Sequence, residues 1–304
     1  YKGKKKNNIK MIIRLKHEKI NKKKWDHCVS SDSKSFPYAL SWYLDLVSPQ
    51  WEALVLNDYE AVMPLTIKKK WGIKYLIQAP FCQQLGVFSS FNVNNENFYS
   101  HLSFPYVFIA VKNKQKRNYK NFQLTKNTNL ILNLNKTYTE LKNSYSKNTL
   151  RNIRKAQKNQ IEIKEISQDE YLIFFNQHLK TQLKKHYLKL PLIIEESIKR
   201  NVGLLLGAYI GKDLVAVNFF LISSQRIINL SPLSSPEGMK KSAMFLLIDQ
   251  IIKDYAEKNI LLDFEGSKIA GISRFFKGFG STEETYYYLQ KTLLSSCEII
   301  HKLP

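Results

Sequence analysis

Cysteine is scarce in this sequence, and so is any spacing that would bind a metal. Its 304 residues hold three cysteines, Cys28, Cys82 and Cys297, with no C-x-x-C pair among them. Reduced thiols, buried or incidental, are expected, which suits a cytoplasmic protein. His178 and His186 have no cysteine or aspartate at metal or triad spacing, so neither a ligand nor a nucleophile is assigned to them. No stretch approaches the roughly 18 apolar residues of a membrane-spanning helix. No apolar run follows the opening YKGKKKNNIK, so no secretory leader is expected; residues 1–10 read as extension or linker before a first strand at Met11.

Acidic residues are also few. Asp and Glu number 25 against 47 Lys and Arg, a formal net charge of +22, and only seven of the basic residues are arginine. Lys, Asn and Ile are the residues an AT-rich genome writes most, and codon bias explains part of this. The rest is physical: such a surface attracts polyanions such as RNA, nucleotides or anionic lipid heads. Hydrophobic residues make up 44% and aromatics 12%, enough for a folded core, and the length suits two domains.

Period and punctuation give the elements. MIIRLKH reads as a strand, 21–31 as a helix, and Pro37 as the first turn of a helix running through YALSWYLDLV. Residues 51–81 read as a three-strand meander broken at Asn57-Asp58 and Trp71-Gly72. A short helix near 92–103 and strands YVFIAVK and TNLILNL complete the first half. Residues 137–159 have no Gly or Pro and read as one basic helix, with Lys147, Arg151, Arg154, Lys155 and Lys158 on a broad face. The second half then repeats the order. QIEIKEI is a strand, 168–185 and LPLIIEESIKR are helices, 203–233 is a three-strand meander, and MKKSAMFLLIDQIIKDYAEK is one long helix. ILLDF is a strand, GISRFFKGF a short helix and ETYYYLQ a last strand.

This order matches the GNAT (acyl-N-acyltransferase) architecture twice over. The fold class expected is α+β with a mixed sheet, as tandem GNAT-like domains at 11–136 and 137–304. The pair YSKNTLRNIRKAQKNQIEI and LLDFEGSKIAGISRFFKGFGS resembles segments of the FemAB-type peptidyltransferases. The matching positions are Lys147, Arg151, Arg154, Lys155 and Ala156, then Asp263, Phe264, Gly266, Ser267, Phe276, Lys277, Phe279 and Gly280. APFCQQLGVFS is similar to a first-domain strand and loop of GNAT-like members. Fem proteins transfer an amino acid from aminoacyl-tRNA to the peptide of a peptidoglycan precursor. The resemblance therefore implies an amide-forming transferase with an amine acceptor, on a cell-envelope or other phosphate-bearing precursor. No inserted coiled-coil arm of the kind that contacts tRNA is present in the sequence. Acyl-CoA or aminoacyl-tRNA is expected as a co-substrate, with no tightly bound cofactor and no metal.

The candidate residues each carry two readings. Asp263 and Glu265 would share a face if the strand ran through 265, and either could take the acceptor's proton, Glu265 foremost because Gly266 lets the backbone approach a ligand. Alternatively they pair with Arg274, Lys277 or backbone N–H groups and hold strand to helix. The basic helix is either a solvated face or a phosphate clamp, a role that guanidinium forks suit. Ser267, Arg274 and Lys277 are grouped with it as substrate-binding candidates. Gln83 and Gln84 would read an amide-bearing acceptor or form a polar loop. Ser235 to Lys240 would hold a donor pyrophosphate at a helix N-terminus through Ser235 and Gly238. That stretch keeps one glycine of the Q/R-x-x-G-x-G/A signature, Pro236 removes a donor and Glu237 repels phosphate, so an ordinary capped helix start is the other reading. Two further functions stay open: a non-catalytic RNA- or polyanion-binding module, and an acyl-CoA-dependent N-acetyltransferase acting on a small amine.

Overall fold

The computed structural model describes residues 11–33, 35–70, 73–102, 106–113, 122–266 and 269–292. Residues 1–10, the Trp71-Gly72 turn, Ser267 and Cys297 lie outside the described residues. Two compact units make up the chain, residues 1–126 with 286–304, and residues 127–285.

The first unit contains β1 (Ile12–Leu15), α1 (Lys22–Ser31), α2 (Ser41–Val47), β2 (Glu52–Leu56), β3 (Ala61–Leu65), β4 (Ile67–Lys70), β5 (Ile73–Ile77), α3 (Asn95–Ser100) and β6 (Tyr106–Asn113). β1, β2 and β3 form an antiparallel sheet, with Leu15 opposite Ala53 and Leu56 opposite Ala61. β4 pairs antiparallel with β5, and β5 pairs parallel with β6. The core joins Leu54, Met63 and Leu76 to Phe98 and Tyr99 of α3. Glu52 is buried on this sheet, where burial raises its pKa, but hydrogen bonds from Lys74 (2.8 Å) and Arg14 outweigh that and hold it below the usual carboxylate range.

Two expectations for this unit need correction. The helix does not start at Pro37: Pro37–Ala39 is a 3-10 turn, and α2 starts at Ser41, whose N–H and hydroxyl both donate to Asp26, each at 2.7 Å. The meander of three strands is also absent. The run after Asn57-Asp58 divides at Thr66, which donates its hydroxyl to the Ile77 carbonyl, while Ile67 N donates to Ser48 Oγ at 3.1 Å. Those two bonds turn the chain, so β3 and β4 belong to different sheets.

β7 (Gln123–Asn133) carries the chain into the second unit. There follow α4 (Tyr138–Asn143), α5 (Lys147–Lys158), β8 (Ile161–Glu165), α6 (Gln168–His178), a 3-10 segment Thr181–His186, and α7 (Leu190–Lys199). Next come β9 (Gly203–Ile210), β10 (Asp213–Ile222), β11 (Arg226–Asn229), β12 (Leu233–Ser234), α8 (Pro236–Lys240), α9 (Ala243–Asp254), β13 (Leu261–Asp263), α10 (Ala270–Lys277) and β14 (Thr282–Thr292). The last strand returns to the first unit, where Tyr287–Thr292 pairs antiparallel with β6. Each division of the chain therefore falls inside a strand, the earlier one ahead of the expected boundary after residue 136.

The second unit's sheet runs β7-β13-β11-β10-β9-β8. All its neighbours are antiparallel except β11 and β13. This is the expected sequence of strand, two helices, three-strand meander, helix and strand. α9 packs Leu247, Ile248 and Ile251 against Leu206, Ala216, Phe220, Ile227 and Leu262, and α5 adds Ile153 and Ala156. α6 and α7 cover the other face.

Three long helices expected here are each interrupted. The basic helix divides into α4 and α5 because Ser146 caps α5, accepting from Thr149 N at 3.1 Å, while Ser146 N donates to the Gly278 carbonyl at 2.8 Å. Tyr145 stands edge-on to Phe279, ring centroids 5.3 Å apart. The two motif segments that carry the Fem resemblance therefore meet at this joint. The helix expected at 168–185 ends at His178 and gives way to the 3-10 segment. The long helix after Ser235 breaks at Ser242, which sits at φ +66° and donates its hydroxyl to Asn152 Oδ1 at 2.8 Å.

Candidate functional site

The ladder between β11 and β13 is short, pairing Arg226 with Leu261, Ile227 with Leu262 and Ile228 with Asp263. Beyond it the strands part. Leu230 N and Ser231 N both donate to the Phe219 carbonyl, at 3.0 and 3.3 Å, a β-bulge that keeps this stretch on β10. Phe264 N instead donates to the Leu130 carbonyl of β7 at 2.9 Å. The opening between 229–231 and 264–266 is the candidate active site.

Polar side chains are concentrated here in an otherwise apolar sheet. Asn218, Asn229, Ser231, Arg226, Asp263 and Asn129 are all buried. Asn218 Nδ2 donates to Asn229 Oδ1 at 2.7 Å. That leaves Asn218 Oδ1, Asn229 Nδ2 and the Ser231 hydroxyl without a partner among the described residues. An unmade hydrogen bond on a buried polar group costs about 1–3 kcal/mol, so such a cluster marks a place for a ligand or water.

Asp263 is fully committed to the scaffold. Arg226 donates a charged hydrogen bond to Asp263 Oδ2, Asn129 Nδ2 donates to Oδ1 at 3.0 Å, and Glu265 N donates to the same oxygen at 2.8 Å. The partner is thus Arg226, neither Arg274 nor Lys277. Arg274 is exposed on α10, and Lys277 pairs with Glu283 at 2.5 Å. Asp263 and Glu265 do not share a strand face either: β13 stops at Asp263, and Glu265 turns out at φ +56°. A non-glycine residue in this conformation is uncommon and is held here by its N–H bond to Asp263. Gly266 follows at φ +55°, where a Cβ would meet the Thr128 carbonyl at 2.4 Å. Tyr187, after the 3-10 segment, has its phenol pKa raised by burial and then by the negative charge of Glu265. The Glu265 carboxylate is therefore near enough to the Tyr187 phenol for its charge to act there.

The other candidates sit on other segments of the chain. Lys147, Arg151, Arg154 and Lys155 are exposed on α5, with Thr149, Ile153 and Ala156 turned inward. Arg151 donates to Asn148 Oδ1 of its own helix at 2.7 Å, and none of the four makes an ion pair among the described residues. Ser235 caps α8, accepting from Gly238 N at 3.1 Å and donating to the Val215 carbonyl at 3.1 Å. A Cβ on Gly238 would lie 2.1 Å from that same carbonyl. The glycine is there for close packing of helix on strand. Gly238→Ala is expected to lose roughly 1–3 kcal/mol of stability through overpacking, read as a lower midpoint in urea unfolding. Gln83 and Gln84 are buried in the first unit, where Gln84 Nε2 donates to Gln83 Oε1 at 2.8 Å and Gln84 N donates to the Tyr38 hydroxyl at 3.2 Å.

Arg226, Asn129, Asn218, Asn229, Ser231 and Tyr187 were not among the sequence candidates. The available signal was a polar residue inside the apolar runs VAVNFFLI and RIINL. A buried strand admits such a residue only with a partner or a purpose. No group of three or more His, Cys, Asp or Glu residues able to hold a metal occurs among the described residues, and no helix among them is long and apolar enough to cross a membrane. Cys28 and Cys82 are buried free thiols, and burial, followed by the charge of Asp32, raises the Cys28 pKa to about 11.

No protein-family model and no curated protein matches the sequence. Solved structures do match. The chain is similar to FemX, with TM-score 0.64 and 12% identity over 90% of this chain and 96% of FemX. It is similar to a conserved protein of unknown function from Bacteroides thetaiotaomicron, with TM-score 0.59 and 10% identity over 88% and 92% of the two chains. It also resembles the C-terminal domain (DUF2156) of a protein assigned as a lysylphosphatidylglycerol synthetase from Agrobacterium fabrum, with TM-score 0.53 and 7% identity over 89% and 91%. These likenesses show that the chain shares the fold of FemX.

Proposed function

We propose that this protein is an N-acyl- or aminoacyltransferase that forms an amide on an amine acceptor, with the donor's carbonyl held where β11 and β13 part. The observation that carries the reading is the opening itself, with Asn229 and Ser231 on one of its edges and Asn218 bonded to Asn229, and with Asn218 Oδ1, Asn229 Nδ2 and the Ser231 hydroxyl lacking a partner among the described residues. Donors fixed in a dry site stabilise a developing oxyanion without reorganising, and an asparagine amide is such a donor. In the transfer the neutral amine attacks the donor carbonyl carbon. A C–N bond forms, the bond from that carbon to the ribose oxygen of tRNA or the sulfur of CoA breaks, and the amine's proton passes to Glu265 and on to the leaving group. Asp263 orders the turn that presents Glu265. The Ser235 cap and Glu237 at the start of α8 leave no vacant N–H row for a pyrophosphate, which supports an aminoacyl donor over acyl-CoA. The cations on α5, without an ion pair among the described residues, suit the phosphates of a UDP-linked or lipid-linked cell-envelope precursor.

Thermal shift against a UDP-linked muropeptide, bulk tRNA and acetyl-CoA, at low and moderate salt, tests this. The muropeptide is expected to raise Tm by roughly 5 °C at about a hundredfold Kd. Bulk tRNA is expected to give a shift that survives moderate salt, and acetyl-CoA none. A shift from acetyl-CoA alone would replace the reading with CoA-dependent acetylation. A tRNA shift that disappears with salt, with none from the other two, would leave only polyanion binding.

A further inference from the structure

Between α6 and α7 the chain exposes apolar and basic side chains side by side. Leu188 is the most exposed large apolar residue described, at 75%, with Leu183 at 43% and Leu192 at 45%. Lys180, Lys184, Lys185 and His186 are exposed around them, and Lys189 is half-buried. None of these four lysines makes an ion pair among the described residues, whereas Lys199 and Arg200 at the far end of α7 are tied to Glu195 and Glu196. A soluble surface that offers leucines to water normally surrounds them with both signs of charge. Here the surround is mostly cationic, in a chain of net charge +22, and the acidic residues that follow Leu192 on α7, Glu195 and Glu196, are already bonded to Lys199 and Arg200.

We propose that the 180–192 segment is a docking surface for an anionic lipid bilayer. Lysines bind the headgroup charge while Leu183, Leu188 and Leu192 enter the headgroup–acyl boundary, the division of labour of an interfacial anchor. The leucines are what favours lipid over nucleic acid, because a phosphate backbone gives an exposed Leu188 nothing to bury against. The short 3-10 segment that carries Leu183 has no buried residue, and Leu188 beyond it is likewise clear of the core. This surface does not depend on the transfer reading.

The test is co-sedimentation of the full chain with phosphatidylglycerol–phosphatidylcholine vesicles and with pure phosphatidylcholine vesicles. Wild type is expected to sediment with the first and not the second. Each lysine near an anionic surface is worth roughly fivefold in partitioning, so Lys180→Glu/Lys184→Glu/Lys185→Glu should weaken binding by at least about 100-fold. Leu188→Ser should weaken it by roughly tenfold. A charge-matched variant elsewhere, Lys212→Glu/Lys240→Glu/Lys253→Glu, should lose far less, and circular dichroism checks that every variant is folded. Equal losses from the two triple variants would reduce the effect to bulk charge and overturn the proposal. So would binding of bulk RNA that the first triple variant abolishes and Leu188→Ser leaves intact, concentration-dependent self-association lost in Leu188→Ser, or no vesicle binding at all.

Discussion

Arg226→Met is expected to cost about 3–5 kcal/mol of folding stability, the penalty for stranding a buried charge. Asp263 has no access to solvent, and its remaining donors, Asn129 Nδ2 and Glu265 N, are neutral. Without the guanidinium the carboxylate is left buried with no opposite charge to pair with. The double variant Arg226→Met/Asp263→Leu removes both charges and should recover most of the loss, since an apolar pair of similar volume often matches a buried ion pair. Urea unfolding measures it, followed by circular dichroism, because the tryptophans Trp25, Trp42, Trp51 and Trp71 all belong to the first unit. A single variant within about 1 kcal/mol of wild type would mean the pair does not bear on stability as described.

The second unit was largely legible because its elements obey simple periods. β9, β10 and β11 are buried on both faces and appear as apolar runs with turns at Gly211 and Ser224-Gln225. Helix interruptions were harder. Thr137 and Glu140 form a capping box and Ser146 caps α5, and both signals stand in the sequence. Yet the break is decided by Gly278, whose carbonyl takes the Ser146 N–H from far along the chain. The site had the same obstacle. Asp263 was visible as a carboxylate after a strand, but its partners are 37 residues back at Arg226 and 134 back at Asn129. A period-2 reading also carried the strand through Glu265, where the backbone in fact turns left-handed. Local pattern fixes which residues enter the sheet; register across the sheet fixes which charges meet.

Those same partners separate the two carboxylates in an activity assay. Glu265→Gln is expected to lower kcat by about 10²–10⁴, the usual contribution of a general base, with Tm nearly unchanged. Glutamine keeps the shape, and the turn is held by the main-chain N–H of residue 265 bonded to Asp263, which the substitution leaves in place. Asp263→Asn should behave in the opposite sense. It removes the charge that Arg226 is bound to, so any loss of rate should come with a lower Tm. The informative comparison is kcat against Tm for the two variants, measured with whichever donor and amine the wild type accepts. Full activity in a stable Glu265→Gln protein would remove the carboxylate from the chemistry. The amine's proton would then have to leave by another group, and the Tyr187 phenol, on which the charge of Glu265 acts, would be the first to replace by phenylalanine.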